Sequence, residues 1–218
     1  MTLPFSREQF FEIFAQYNAT VWPLQPVFVA MGVASIVAVF VQRGFERVVG
    51  WVLVLFWLWM AIAYHFAFFT SINPAAWVFG AAFLIGAGVF AWHVRAGTLR
   101  FTKPVGATAV AGLAVLSYSL VGYQLLGWLA GHAYPQTPTF GLPCPTTIFT
   151  FGILLLAQHP VPLSLFIVPL AWTVVGTFAA IQLGVPQDLG LLAAAAITAS
   201  RWRRAKTQQP TAKLSHLP

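Results

Sequence analysis

Charge is what this sequence has least of. Only 7% of its 218 residues are charged, 11 Lys and Arg against 4 Asp and Glu. A soluble domain averages about 25%, and so few ionised groups could not cover a soluble surface of this size. The scarcity disfavours a cytosolic enzyme, a nucleic-acid binder and a disordered chain together. Cysteine is almost missing too. Cys144 stands alone, which excludes an intramolecular disulfide and a Cys-cluster metal site. No apolar stretch near the start leads to an A-x-A-like site, so no removable signal peptide is expected, and the first span serves as the insertion signal. The P-loop, H-E-x-x-H and G-x-S-x-G patterns are absent. No span carries a Lys to hold retinal, or a mid-depth carboxylate of the kind an ion-coupled carrier or proton pump uses.

What is abundant is apolar length. Hydrophobic residues make up 59% and aromatic residues 16% of the chain. A membrane-crossing helix needs about 20 mostly apolar residues. Runs 20–41, 49–69, 74–94, 105–129 and 162–183 qualify, and two shorter ones follow at 145–158 and 187–201. Counting all of them gives seven spans. Basic residues support that count. Arg43 and Arg47, then Arg95, Arg100 and Lys103, then Arg201, Arg203, Arg204, Lys206 and Lys213 fall on one side only if the number of spans is seven. The positive-inside rule puts that side in the cytoplasm and the N-terminus outside. The formal charge of +7 is therefore a topology signal beside anionic lipid, and no nucleic acid is expected as a partner.

The expected fold is an all-α polytopic membrane helix bundle. Residues 1–204 form one integral domain, and 205–218 form a polar, disordered cytoplasmic tail. Ahead of the first span, Ser6 and Gln9 fit a capping box. Phe10, Phe11, Ile13, Phe14 and Tyr17 follow at helical spacing, which predicts a short amphipathic helix on the outer interface. Gly127 and Gly131 form a G-x-x-x-G, and Gly80, Gly86 and Gly88 recur in the third span, where small residues let helices approach closely.

With this topology the unusual polar residues gather in the outer half. Asn18 and Thr20 open the first span, and Tyr64 and His65 lie near the outer end of the second. Asn73 and Pro74 turn into the third, Tyr123 and Gln124 end the fourth, and Asp188 starts the seventh. Capping is the plainer reading for Asn18, Asn73 and Asp188. Several helix N-termini also point outward, and their convergence would favour an anion or dipolar ligand. The segment 131–147 contains His132, Cys144, Thr146 and Thr147 and no charged residue, which suggests a loop folded back on the bundle. With Pro145 at the first helical position, Cys144 falls at the N-cap. Thr147 could then donate to its thiolate. His65, His132 and Cys144 form a conceivable soft-metal set, and the two histidines a conceivable haem pair. A satisfied structural histidine and an inert cysteine are the plainer alternatives.

Four segments together, LPFSREQFFEIFAQYNATVWP (3–23), YHFAFFTSINPAAWVFG (64–80), PTFGLPCPTTIFTFG (138–152) and GVPQDLG (184–190), resemble an uncharacterised bacterial family of small multi-spanning membrane proteins. The resemblance implies a membrane class and a bacterial inner-membrane location, with no cofactor or activity attached. The expected function is an outward-facing polar pocket that binds a small ligand or soft metal ion, with transport of that ligand as its extension. Its lining would be Asn18, His65, Asn73, Tyr123, His132, Cys144, Thr146, Thr147 and Asp188. Two alternatives stay open. One is a membrane-embedded enzyme with Cys144 as nucleophile or redox thiol, His65 or His132 as base and Asp188 as orienter. The other is a structural subunit of a larger membrane complex.

Overall fold

The first helix begins where its cap dictates. In the computed structural model, which describes residues 3–42 and 44–207, the Ser6 hydroxyl accepts from the Gln9 amide at 3.2 Å. The Gln9 side chain accepts from the Ser6 amide in return at 2.8 Å. Helix α1 then runs Arg7–Val21 and buries Phe10, Ile13, Phe14, Tyr17, Asn18 and Val21 on one face. Asn18 and Thr20 thus belong to α1 and do not cap the first span. Thr20 donates back to the Gln16 carbonyl, and α2, Leu24–Val41, starts after Pro23 with no side-chain cap.

The long runs fold as helices close to their expected limits. α3 spans Glu46–Trp59 and continues through a π-helical stretch, Met60–Phe66. α4 is Ala76–Arg95. α5, Gly106–Ser117, passes through a second π-helical stretch, Tyr118–Gly122, into α6, Tyr123–Leu129. α7 is Pro143–Leu156, α8 Ser164–Leu183 and α9 Gly190–Thr207. Among the described residues the fold is all-α, and 5 helical segments are long and apolar enough to cross a membrane: Leu24–Val41, Arg47–Ser71, Ala76–Arg95, Gly106–Leu129 and Ser164–Leu183. α9 continues past residue 204, so 205–207 are helical. The expected tail from 208, with Lys213, lies outside the described residues, as does Arg43.

α7 is the short one, and its surroundings explain why. Pro143 and every residue from Pro145 to Leu156 are buried. A helix that is apolar all round belongs in a core, and α7 packs against α5, α8, α9 and α2. It needs no lipid-facing belt, so about 21 Å of length suffices at 1.5 Å per residue. The small-residue expectation holds in part. A Cβ at Gly86 would stand 2.7 Å from the Trp57 ring, and one at Gly80 would overlap Phe66. Gly88, however, faces open space. The G-x-x-x-G is not a helix-packing motif. Gly127 packs against Gln187 and Thr137, while Gly131 lies beyond α6 at φ +86.

Chain crossings define two ends. At one end α1 meets the 69–75 turn through Phe10 and Phe69, the 131–142 loop through Asn18, and the end of α8 through Arg7 and Gly184. At the other, Arg95 lies over Trp51, Gln158 donates to the Arg100 carbonyl at 2.8 Å, and Trp202 Nε1 donates to the Val161 carbonyl at 3.3 Å. The described basic residues other than Arg7 sit on elements at this second end.

Candidate functional site

Beneath α1, at the first end, lies a cavity of about 240 Å³. It is walled by α1, the 69–75 turn, α8 and the start of α7. Phe5, Phe10, Phe14, Phe69, Phe79 and Phe178 give most of its surface, with Leu142 and Val175. Its polar lining is Tyr64, Asn73, Cys144, Trp172 and Asp188. The pocket is therefore mainly apolar with a small polar patch. That corrects the expectation of a polar pocket.

Local geometry puts Asp188 there. α8 ends at Gly184, whose φ of +67 suits glycine. Pro186 then starts a short 3-10 turn, Pro186–Leu189, in which the Asp188 amide donates to the Val185 carbonyl at 3.0 Å. Asp188 thus precedes α9, where a first-turn position was expected. The turn points the carboxylate inward, leaving it 3% exposed. Of the carboxylates whose side chains are described, Asp188 alone is buried, and no basic group stands beside it.

Two tyrosines hold this turn. Tyr123 donates its hydroxyl to Asp188 Oδ1, and Tyr118 donates to the Gln187 carbonyl at 2.7 Å. They are five residues apart, which on a regular α-helix puts side chains about 140° apart. Here the Tyr123 amide bonds back to the Tyr118 carbonyl. That i→i+5 link of a π-helix rotates both tyrosines toward the same turn. The π-helical stretch of α3 carries Tyr64 and His65. The first π-helical stretch thus gives the cavity wall Tyr64, while the second holds the turn that carries Asp188, and such stretches occur frequently at functional sites.

Cys144 is the second residue of α7. Pro143 is first and Leu142 is the N-cap, so the expected N-cap position for Cys144 is off by two. The thiol, the Asp188 carboxylate and Trp172 share the cavity wall, close enough to interact electrostatically. Thr147 does not assist it, because its buried hydroxyl has no partner. Asn73 accepts from the Ala75 amide at 3.0 Å, which fixes the turn into α4 and places Asn73 on the cavity wall.

The other expected lining residues lie elsewhere. Asn18 clamps the 131–142 loop. Its amide donates to the Pro135 and Thr137 carbonyls at 2.7 and 2.9 Å, and its Oδ1 accepts from Thr139 at 2.7 Å. The loop is accordingly folded back, with 137–142 buried. Thr146 accepts from the Gly141 amide at 3.0 Å and so caps the loop against α7. His65 is fully buried among Tyr64, Phe69, Phe79, Phe83 and Trp172, and neither ring nitrogen has a partner. Trp172 stands between it and the cavity. His132 lines a separate, more open cleft with Arg7, Glu8, Glu12 and Gln136. There Arg7 and Gln187 approach its two ring nitrogens at 3.5 and 3.4 Å. Burial, with the Arg7 cation adding to it, holds the His132 imidazole below its ordinary value.

Among the described residues no three His, Cys, Asp or Glu side chains converge as a metal site. His65, His132 and Cys144 are thus not one ligand set, and the two histidines face different surroundings. Sequence reasoning missed Tyr64, Trp172 and the phenylalanine walls as lining. Trp172 did carry a signal. It lies eleven residues before Leu183, about 16 Å along the helix, far from the interfacial belt where tryptophans gather.

This is an all-α chain whose long helices suit a membrane and in which Asp188, the one buried carboxylate among the described side chains, shares an aromatic cavity with a thiol. It belongs to DUF6064, a family of unknown function, whose match covers residues 7–212. No curated protein and no solved structure matches it.

Proposed function

We propose that this chain is a seven-span bacterial inner-membrane protein, N-terminus outside, whose cavity binds a small amphipathic ligand near the outer face and passes it onward or presents it. The observation that carries this reading is Asp188: a buried carboxylate without a cation, held by Tyr123 and next to Cys144, on the wall of an otherwise apolar cavity. Burying a charge or polar group without compensation is costly, and polar groups at membrane depth commonly mark function. The basic residues at the far end support the orientation. α7 and α9 complete the count of seven as spans packed within or alongside the bundle.

The chemistry of the wall narrows the ligand. One thiol and one carboxylate fall short of a soft-metal set, which favours the small-molecule half of the expectation. A carboxylate in place of a basic residue also disfavours an anion, despite the helix N-termini at this end.

Thermal denaturation of the purified protein tests the reading with three probes: 1-hexanol, para-hexylphenol and hexanoate. The neutral probes should raise the midpoint, and hexanoate should do least. Asp188→Asn and Cys144→Ala should weaken the effect with little loss of folded protein. Unchanged responses in both variants would sink the proposal. The contact between thiol and carboxylate also favours a second reading, a membrane-embedded enzyme in which Asp188, rather than either histidine, takes the Cys144 proton. A structural-subunit role gives no reason for such a cavity.

A further inference from the structure

Resting on the reading of the cavity as a ligand site, we infer that it fills sideways from the bilayer, with a small lipid-dissolved aromatic molecule bearing a neutral hydrogen-bonding head.

The route follows from α8. Ile167, Leu170, Val174, Phe178 and Ile181 recur at spacings of three and four, and all are exposed, from 39% to 71%. On an apolar helix of spanning length that stripe faces lipid. Phe178 belongs to both the stripe and the cavity wall, so one wall of the cavity is also the lipid-facing surface. It lies five residues before Leu183, about 8 Å below the end of α8. On the water side buried Phe10 and Phe14 of α1 cover the cavity in part, with exposed Pro4 and Ala75 at its rim.

The class of ligand follows from size and lining. An apolar cavity of about 150 Å³ admits benzene, so 240 Å³ takes one ring with a short substituent. Six phenylalanines offer edges and faces to a ring. Asp188, Cys144, Tyr64 and Asn73 offer donors and acceptors to its head. A substituent too long for the cavity can trail past Phe178 into the acyl chains.

The chain has a single cysteine, so N-ethylmaleimide labelling of the reconstituted protein reports on Cys144 alone. Para-hexylphenol, which partitions into the bilayer, should slow labelling several-fold. Para-hydroxybenzenesulfonate has the same ring but stays in water, and should not. Phe178→Ala should speed labelling, and Ala179→Trp, or the milder Val175→Phe if the first does not fold, should slow it. Equal protection by both probes, with no response to Phe178→Ala, overturns the lateral route and leaves the ligand reading standing. No protection by either probe, with every variant labelled at the wild-type rate, means that the ligand reading itself has failed. Should Cys144 resist the reagent, thermal denaturation decides in its place: a midpoint raised by para-hexylphenol and not by the sulfonate supports the route, and the same rise with both overturns it.

Discussion

Two recesses share the α1 end of this bundle, and they differ in almost every respect that matters for chemistry. The cleft around His132 is the more polar, with Arg7, Glu8 and Glu12 on its wall, yet water screens those charges. The cavity around Asp188 has few polar groups, but they are buried together, where each interaction counts for more. α1 divides the two recesses, with Arg7 and Phe11 on the cleft and Phe10 and Phe14 on the cavity. The turn after α8 divides them again, because Gln187 reaches His132 while its neighbour Asp188 meets Tyr123. Depth, rather than the number of polar residues, marks the candidate site.

Breaking the partition should have the largest effect. Phe14→Ala removes a buried ring from the roof and should cost about 3–5 kcal/mol by denaturation. In the same variant a membrane-impermeant maleimide should begin to reach Cys144 from the α1 end. If neither changes, α1 is not the divider. Tyr123→Phe acts only on the cavity side. It strips the carboxylate of its donor and should cost about 1.5–3 kcal/mol, with Asp188→Asn in the same background recovering part of the loss. A loss no larger in Tyr123→Phe than in Tyr134→Phe, on the exposed loop, would mean that Asp188 does not depend on that bond.

Smaller effects test the edge of the partition. Ser6→Ala removes the cap of α1 and should cost about 1 kcal/mol, with faster amide exchange confined to the first turn of α1. On the cleft side, the depressed His132 titration carries a sign. Its folded value lies below the unfolded one, so its contribution is full above about pH 6.5. That contribution falls as pH drops through the lower folded value. His132→Gln should flatten that part of the stability profile and leave Cys144 labelling unchanged. His159, also held low by burial, keeps some acid sensitivity in the variant. A profile identical to wild type would remove His132 from the account.

Most of the helical layout was legible because it follows from local pattern. The capping box needs only Ser6 and Gln9, and the spans need only apolar length. The folded-back loop was legible from its lack of charge. Cys144, Asn73 and Asp188 were legible as unusual polar residues at one end. Their neighbours were not, because the cavity is assembled by residues far apart in the chain: Phe10 meets Phe69, and Tyr123 meets Asp188. Asn18 shows the same limit from the other side. As a polar residue near a span it looked like lining or a cap, but the 131–142 loop crosses it and takes both of its side-chain amide donations. The π-helical stretches leave no mark in hydropathy, yet they decide where Tyr118 and Tyr123 point.

The enclosure of α7 has a consequence for biogenesis. A fourteen-residue helix that meets only protein gains little from the bilayer by itself. Two of its partners, α8 and α9, are synthesised after it, so its seat is finished only when α9 arrives. Cys144 lies in the first turn of that helix and Asp188 precedes α9. The candidate site is therefore completed only once α9 is in place, and a chain stopped short of Gly190 would have Asp188 but no α9 to close the seat of α7.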